Sequence, residues 1–442
     1  MIDRSFGSNI DFGFFVMLIV CFGVIVAVAK KVVTKDDPWL VSLIIGGFMA
    51  KLVGAYLRWY VLIVVYRGSG DAIGYHSRGQ LYADVIRSFQ VPEIQNFGSG
   101  TKFMYLLSGI SYVPYKPSLF GSFVLFGSFA FLGQILFYVA FRNSFAKIRW
   151  RWYAIAIFFL PSIIFWPASI GKESVMYISI GIAAWGVSKL LQDYRIIWVI
   201  PIAFGLGLTG GVRIHMAALV AGALAVTVMW AKTPKIRGAG SRRLAMVVVG
   251  LAGMGLLVSL TAANFDIVLS TEELDVDPFL QTLESTTSTG GSQVEGEPIR
   301  SPADVPEGTL RVLFRPLPNE ADNAQALAAS LESAVLLLLT ILRAPAMVRE
   351  FIHSRRRPYF AYAVVYTAGF VVAFSTFLNL GLLARQRSQV LPFLLILLIA
   401  PGGDAAEERI RKRKERRAEQ LAILRPQDSE AASDEPARLP VG

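Results

Sequence analysis

Residues 12–31 read FGFFVMLIVCFGVIVAVAKK: eighteen positions without a charge, closed by Lys30 and Lys31. As a helix, a run of that length crosses the roughly 30 Å hydrocarbon core of a bilayer. Similar apolar runs recur near 12–29, 39–66, 118–140, 152–166, 174–190, 196–209, 214–230, 244–262, 326–344, 358–379 and 389–401. They predict an all-α polytopic membrane protein with about eleven transmembrane helices. The run 152–166 is short, and 196–230 reads either as two short helices broken at Gly210-Gly211 or as one long helix. Ala27-Val28-Ala29 resembles a signal-peptidase site, but no basic segment precedes it and Lys30-Lys31 follow, the mark of an uncleaved anchor.

The whole composition agrees with that reading. Of 442 residues 54% are hydrophobic and only 17% charged, which argues against a soluble enzyme and makes the bilayer the first partner. A formal charge of +11 would suggest nucleic acid in a soluble chain, but most Lys and Arg sit in short loops between apolar runs, so no nucleic acid partner is expected. Cys21, the single cysteine, excludes an intramolecular disulfide, and His76, His215 and His353 show no zinc-like spacing.

Orientation follows from the basic loops. Lys30, Lys31 and Lys35, then Arg142, Lys147, Arg149 and Arg151, then Lys189 and Arg195 fall in loops of one parity. Lys232 to Arg243, Arg343 to Arg357 and the tail from Arg409 to Arg417 join them. Eleven spans put all of these on the cytoplasmic face, with the N-terminus outside and the C-terminus inside. A membrane domain of residues 1–401 is then followed by a tail, 402–442, with a charged helix at Glu407–Leu424 and an acidic, disordered end past Pro426. Two long segments remain outside, 67–117 and 263–325. The first holds helical stretches at Gly79–Phe89 and Lys102–Tyr112, expected to fold on the membrane surface. The second opens acidic and runs through a flexible Ser285–Ser292 stretch before returning at Leu313-Phe314-Arg315-Pro316.

Ionisable residues gather at outer turns under this topology. Asp71, Tyr75, His76 and Arg78 follow the second span, and Lys172 and Glu173 close the short turn 167–173. Arg213 and His215 follow Gly210-Gly211; Arg315, Glu320 and Asp322 lie where the long loop returns; Arg385 and Arg387 occupy Leu382-Leu383-Ala384-Arg385-Gln386-Arg387. Guanidinium forks match phosphate and an ammonium adds a point charge, so converging cations suit a phosphate or pyrophosphate, and a carboxylate such as Asp71 could take a proton from a hydroxyl. Plainer roles stand beside these. Glu173 favours a helix start, Arg385 and Arg387 can snorkel, Asp71 fits a Gly-rich turn, and Arg213 with His215 can hold a broken helix. Lys51 and Arg58, seven residues apart on one face, could line the same cavity, although Arg58 beside Trp59 also suits snorkelling. Gly205-Leu206-Gly207-Leu208-Thr209-Gly210 matches a dinucleotide fingerprint only literally, having no strand before it, and Asp275-Val276-Asp277 lacks the sheet that a metal-binding pair would need.

These features together resemble the GT-C class of multi-pass membrane glycosyltransferases and the related integral membrane polysaccharide polymerases. The resemblance rests on the many spans, a first large outer loop beginning Gly70-Asp71 with Tyr75 four residues on, and the basic outer turns. It implies transfer or polymerisation of sugars from a polyprenyl-(pyro)phosphate donor to a saccharide or glycolipid acceptor, at the outer face of the plasma membrane, in envelope polysaccharide or glycoconjugate synthesis. Asp71 would be the base, and Lys172, Arg213 and Arg315 the foremost phosphate ligands. The chain lacks a paired acidic motif after its first span, so no cofactor is called for and a divalent metal is left open. Two other classes compete: a transporter or flippase for a lipid-linked sugar or another anionic solute, suited by broken helices and by Lys51 and Arg58, and a structural protein whose outer loops bind a partner.

Overall fold

The computed structural model describes residues 12–92, 100–232, 299, 301–321, 323–377 and 379–423, with isolated positions between 240 and 250. The expected span 244–262, most of the loop 263–325, Asp322 and the tail past Pro426 lie outside the described residues. No strand occurs among the described residues, and the architecture is all-helical.

Five described helices are long and apolar enough to cross a membrane. They are α1 (Phe12–Val32), α2 (Leu40–Tyr60, continued as a π-helix through Val65), α5 (Leu119–Ser144), α8 (Lys172–Asp193) and α12 (Ala324–Ile352). A sixth span results if α14 (Leu380–Arg387) and the stretch Leu391–Arg413, which opens with α15 (Leu391–Ile399), count together across a bend of 61°. Three apolar helices are shorter: α9 (Val199–Val212), α10 (Ile214–Trp230) and α13 (Pro358–Phe374). Side chains such as Ile19, Val53, Ile200, Phe204, Leu338 and Leu342 are exposed on these helices, a distribution that suits lipid rather than water.

Two expected spans take other forms. The run 152–166 is divided into α6 (Trp150–Phe159) and α7 (Pro161–Phe165), because Pro161 lacks an amide and forces Leu160 into an extended conformation. The segment 196–230 is two helices, but the break falls at Arg213, which is extended at φ −150°, while Gly210 and Gly211 remain helical. The first expected outer loop contains a hairpin of α3 (Asp71–Arg87) and α4 (Thr101–Tyr112), so its first helix starts eight residues before the expected Gly79. The described end of the second loop holds α11 (Val305–Phe314), and the charged tail helix is α16 (Gly403–Ile423).

At the centre, α8 packs on α5 and α9, and α2 and α1 pack on α5. Midway along both helices Gly133 and Gly181 bring the α5 and α8 backbones into contact: a Cβ on Gly133 would lie 2.4 Å from the Tyr177 carbonyl oxygen. An aromatic core fills the space toward α13 and α15, with the Phe393 ring 5.6 Å from Phe137 and 4.2 Å from Tyr366.

Helices α5, α8 and α12 run parallel in one respect that organises everything else. Their first residues, Phe123, Ile170 and Gln325 among the neighbours, surround one cavity, and their last turns surround a second. At about 1.5 Å per residue these helices separate the two by roughly 30 Å. The basic loops meet at the second end. Arg142 bonds Asp37 at 2.8 Å, Lys147 bonds Asp36 at 2.8 Å, Arg149 and Arg343 donate to the Pro401 carbonyl, and Arg357 pairs with Asp404.

Candidate anion-binding site

The first cavity, of about 420 Å³, is built from the ends of helices. Gly70, Asp71 and Ala72 start α3; Ser169 and Ile170 precede α8; Gln325 starts α12; Asn379, Gly381 and Leu382 start α14. Each helix start carries the positive end of a peptide dipole; Asn323 and Asn379 already accept one amide each at the starts of α12 and α14, and the four dipoles around one space together favour an anion. Arg58 and Arg385 add formal charge to the lining.

A buried carboxylate fixes the cations. Glu173, in the first turn of α8 and 1% exposed, bonds Arg213 Nη2 at 3.0 Å through one oxygen and Arg385 Nη2 at 2.7 Å through the other. Arg213 also donates to the Gln386 side-chain oxygen. One carboxylate between two guanidinium groups leaves a surplus positive charge, and Nε of Arg385 is buried without a hydrogen-bond partner among the described residues. Arg58 lies over the rings of Phe165 and Trp166, 5.1 and 5.2 Å from their centroids, and its Nε likewise has no hydrogen bond among the described residues.

The wall behind Arg58 is held from both ends of α7. Glu332 accepts the Ser162 amide at 2.7 Å in the first turn, and the Lys51 ammonium donates to the Ile163 carbonyl at 2.6 Å in the last. Acid at the start and base at the end both favour the helix dipole. The clamped helix leads through Phe165 and Trp166 into the buried turn 167–171 before α8.

Asp71 is exposed, lines the cavity and makes no hydrogen bond or ion pair among the described residues. Tyr75, one helical turn on, lies on the same side of α3 and is 2% exposed. Burial, then the charge of Asp71, pushes its hydroxyl up to about 12, so it remains a donor at neutral pH.

The other residues singled out in the sequence are placed as follows. Lys172 comes beside Gly100, where an added Cβ would lie 3.5 Å from Nζ, within electrostatic reach of Asp71 and Arg213. His215 packs its ring 6.2 Å from Phe374 and feels Arg213 and Lys172. His76 turns to α4, 3.3 Å from the Tyr112 hydroxyl, and burial pushes its imidazole down to about 4. Arg78 is exposed and does not line the cavity. Arg315 pairs with Glu320. Burial acts to raise the Glu320 carboxyl, but bonds from Arg315 and the Leu317 amide outweigh it and lower it. Arg387 is fully buried and donates to the carbonyls of Leu313 and Arg315 at 3.1 and 3.0 Å. Thus Asp71, Tyr75, Glu173, Arg213 and Arg385 come together, with Lys172 and His215 at their edge. His76, Arg78, Arg315, Glu320 and Arg387 point elsewhere.

Arg58 joins the site, as do Trp166 and Gln386, which carried no sequence signal of their own. Among the described residues no group of three or more His, Cys, Asp or Glu side chains could hold a metal ion. Asp71 is the one carboxylate in the described cavity lining. Compared with known proteins, the chain matches no family model, no curated protein and no solved structure.

Proposed function

We propose that the chain transfers or polymerises sugars from a polyprenyl-phosphate or polyprenyl-pyrophosphate donor at the outer face of a cell membrane, in envelope polysaccharide or glycoconjugate synthesis. The observation that carries this reading is an unpaired carboxylate, Asp71, in one cavity with Arg58, Arg385 and four helix starts. Such a cavity fits a phosphate headgroup, and its volume lies within the range of about 300–1,000 Å³ usual for small-molecule sites. The exposed apolar helix faces fit a donor that arrives through lipid.

In this reaction Asp71 takes the proton of an acceptor hydroxyl as that oxygen bonds to the anomeric carbon. The bond from that carbon to the phosphate oxygen breaks, and the electron pair leaves with the (pyro)phosphate. Arg385 and Arg58, helped by the helix starts, bear the charge that grows on the leaving oxygen. Glu173 holds Arg385 in place before substrate arrives, so little reorganisation is required during the step.

Transport of a lipid-linked sugar or another anionic solute is the second reading, favoured by the buried Lys51, Glu332 and Arg387. Each of these, however, is bonded to backbone groups rather than lining the cavity. The transferase is separated from transport of another solute by mass spectrometry of polyprenyl-linked saccharides in cells lacking the chain, rescued with wild type or with Asp71→Asn. We expect one lipid-linked saccharide to accumulate without the chain and with Asp71→Asn at normal protein abundance. Unchanged pools would remove the transferase reading and leave transport of another solute in front.

A further inference from the structure

The larger described cavity, about 660 Å³, lies at the opposite end of α5, α8 and α12 and plays no part in the chemistry above. It is bounded by the last turns of these helices and by the starts of α13 and α16. Arg349, Arg356 and Arg357 line it. Arg357 is committed to Glu350, at 2.6 Å, and to Asp404. The side chains of Arg349 and Arg356 make no hydrogen bond or ion pair among the described residues, and both are exposed.

A further feature points to an anion there. Helix α13, seventeen residues long, begins at this cavity with no side-chain cap; Pro358 has no amide and the Phe360 amide bonds the Arg357 carbonyl, so the helix offers the positive end of its dipole rather than a row of free donors.

The neighbouring surface identifies what carries the anion. Leu338, Ile341, Leu342, Val348, Phe351 and Ile352 are exposed along α12, forming an apolar surface that continues into the turns bearing Arg349 and His353. A soluble anion would use only the cavity, whereas a molecule with a charged head and apolar tails would use both. We propose that this cavity binds the phosphate of an anionic phospholipid, with its acyl chains along the exposed face of α12. The basic loops gathered at the same end place the cavity at headgroup depth when α12 crosses the bilayer. This inference rests on observations separate from those at Asp71 and stands whether or not the chain transfers sugars.

Native mass spectrometry of the full chain in detergent tests it, after delipidation and incubation with phosphatidylglycerol or phosphatidylcholine. Three arginines against Glu350 and Asp404 leave one surplus positive charge, which predicts a preference for phosphatidylglycerol of about fivefold. The double variant Arg349→Ala/Arg356→Ala should lose that preference, and Arg349→Lys/Arg356→Lys should retain most of it. Because these side chains are exposed, an unchanged melting midpoint in both variants shows that folding is intact. Millimolar inorganic phosphate should not displace the lipid. Equal retention of the two lipids, or an undiminished preference in the alanine variant, would overturn the proposal. Displacement by inorganic phosphate would overturn the lipid as its source and assign the cavity to a free anion.

Discussion

The two ends of the helical bundle use the same residue types to opposite effect. Around Asp71 the charges are buried and tied to one another: Glu173 holds two arginines, and Lys51 and Glu332 clamp α7. At the other end one pair is also buried, Arg142 with Asp37, but most cations are exposed, some in simple pairs such as Lys147 with Asp36, others unpaired. A buried ion pair is costly to assemble and costlier to break, whereas an exposed one contributes little and moves freely. Rigidity is thus concentrated where phosphate chemistry would need preset donors, and adaptability where a lipid headgroup would need only charge.

Breaking the stiff end should show this difference most clearly. Glu173→Gln leaves the Arg213 and Arg385 guanidinium groups without their counter-charge, and we expect a loss of about 3–5 kcal/mol, read as a lower thermal midpoint of the purified chain in detergent. A smaller loss would mean that water reaches these groups and that the site is looser than its geometry indicates. Lys51→Met should have an intermediate effect, since the Ile163 carbonyl loses its donor at a cost of about 1–3 kcal/mol. If α7 is what aims Trp166, that variant should also change protease cleavage or labelling in the turn 167–171, which a simple loss of packing elsewhere would not. Asp36→Asn, at the exposed end, should leave the midpoint unchanged. A shift comparable to that of Lys51→Met would erase the contrast between the ends.

The long helices were legible because length and apolarity are local properties: the runs 12–29, 39–66, 118–140, 174–190 and 326–344 each fall within a helix long enough to span, apart from one or two end residues. The division at Pro161 was also written in the sequence, as a proline inside an apolar run of membrane length. The site was legible only in outline. Asp71 and Tyr75, four apart, do share a side of α3, but His76 is displaced around the helix and Arg78, on the face of Asp71, lies two turns or about 10 Å further along. Arg385 and Arg387 stand together in the sequence as one outer pair, yet residues two apart on a helix face different ways, and the structure sends one to Glu173 and the other to Leu313. Arg58 is legible only as a cavity-facing residue beside Lys51: the structure places Arg58 in the lining and Lys51 on the Ile163 carbonyl, and no local pattern records the contact of Arg58 with Phe165 and Trp166, more than a hundred residues away.

The contact between Gly133 and Gly181 has a mechanical consequence. It lies near the midpoint of both α5 and α8, where neither helix has a side chain to yield. The two backbones are therefore locked at this level, and neither helix can slide along the other without driving main chain into main chain. Contacts continue to the basic end, where Asn143 donates to Ser188 and accepts from Gln192. Between the two cavities the pair is a strut.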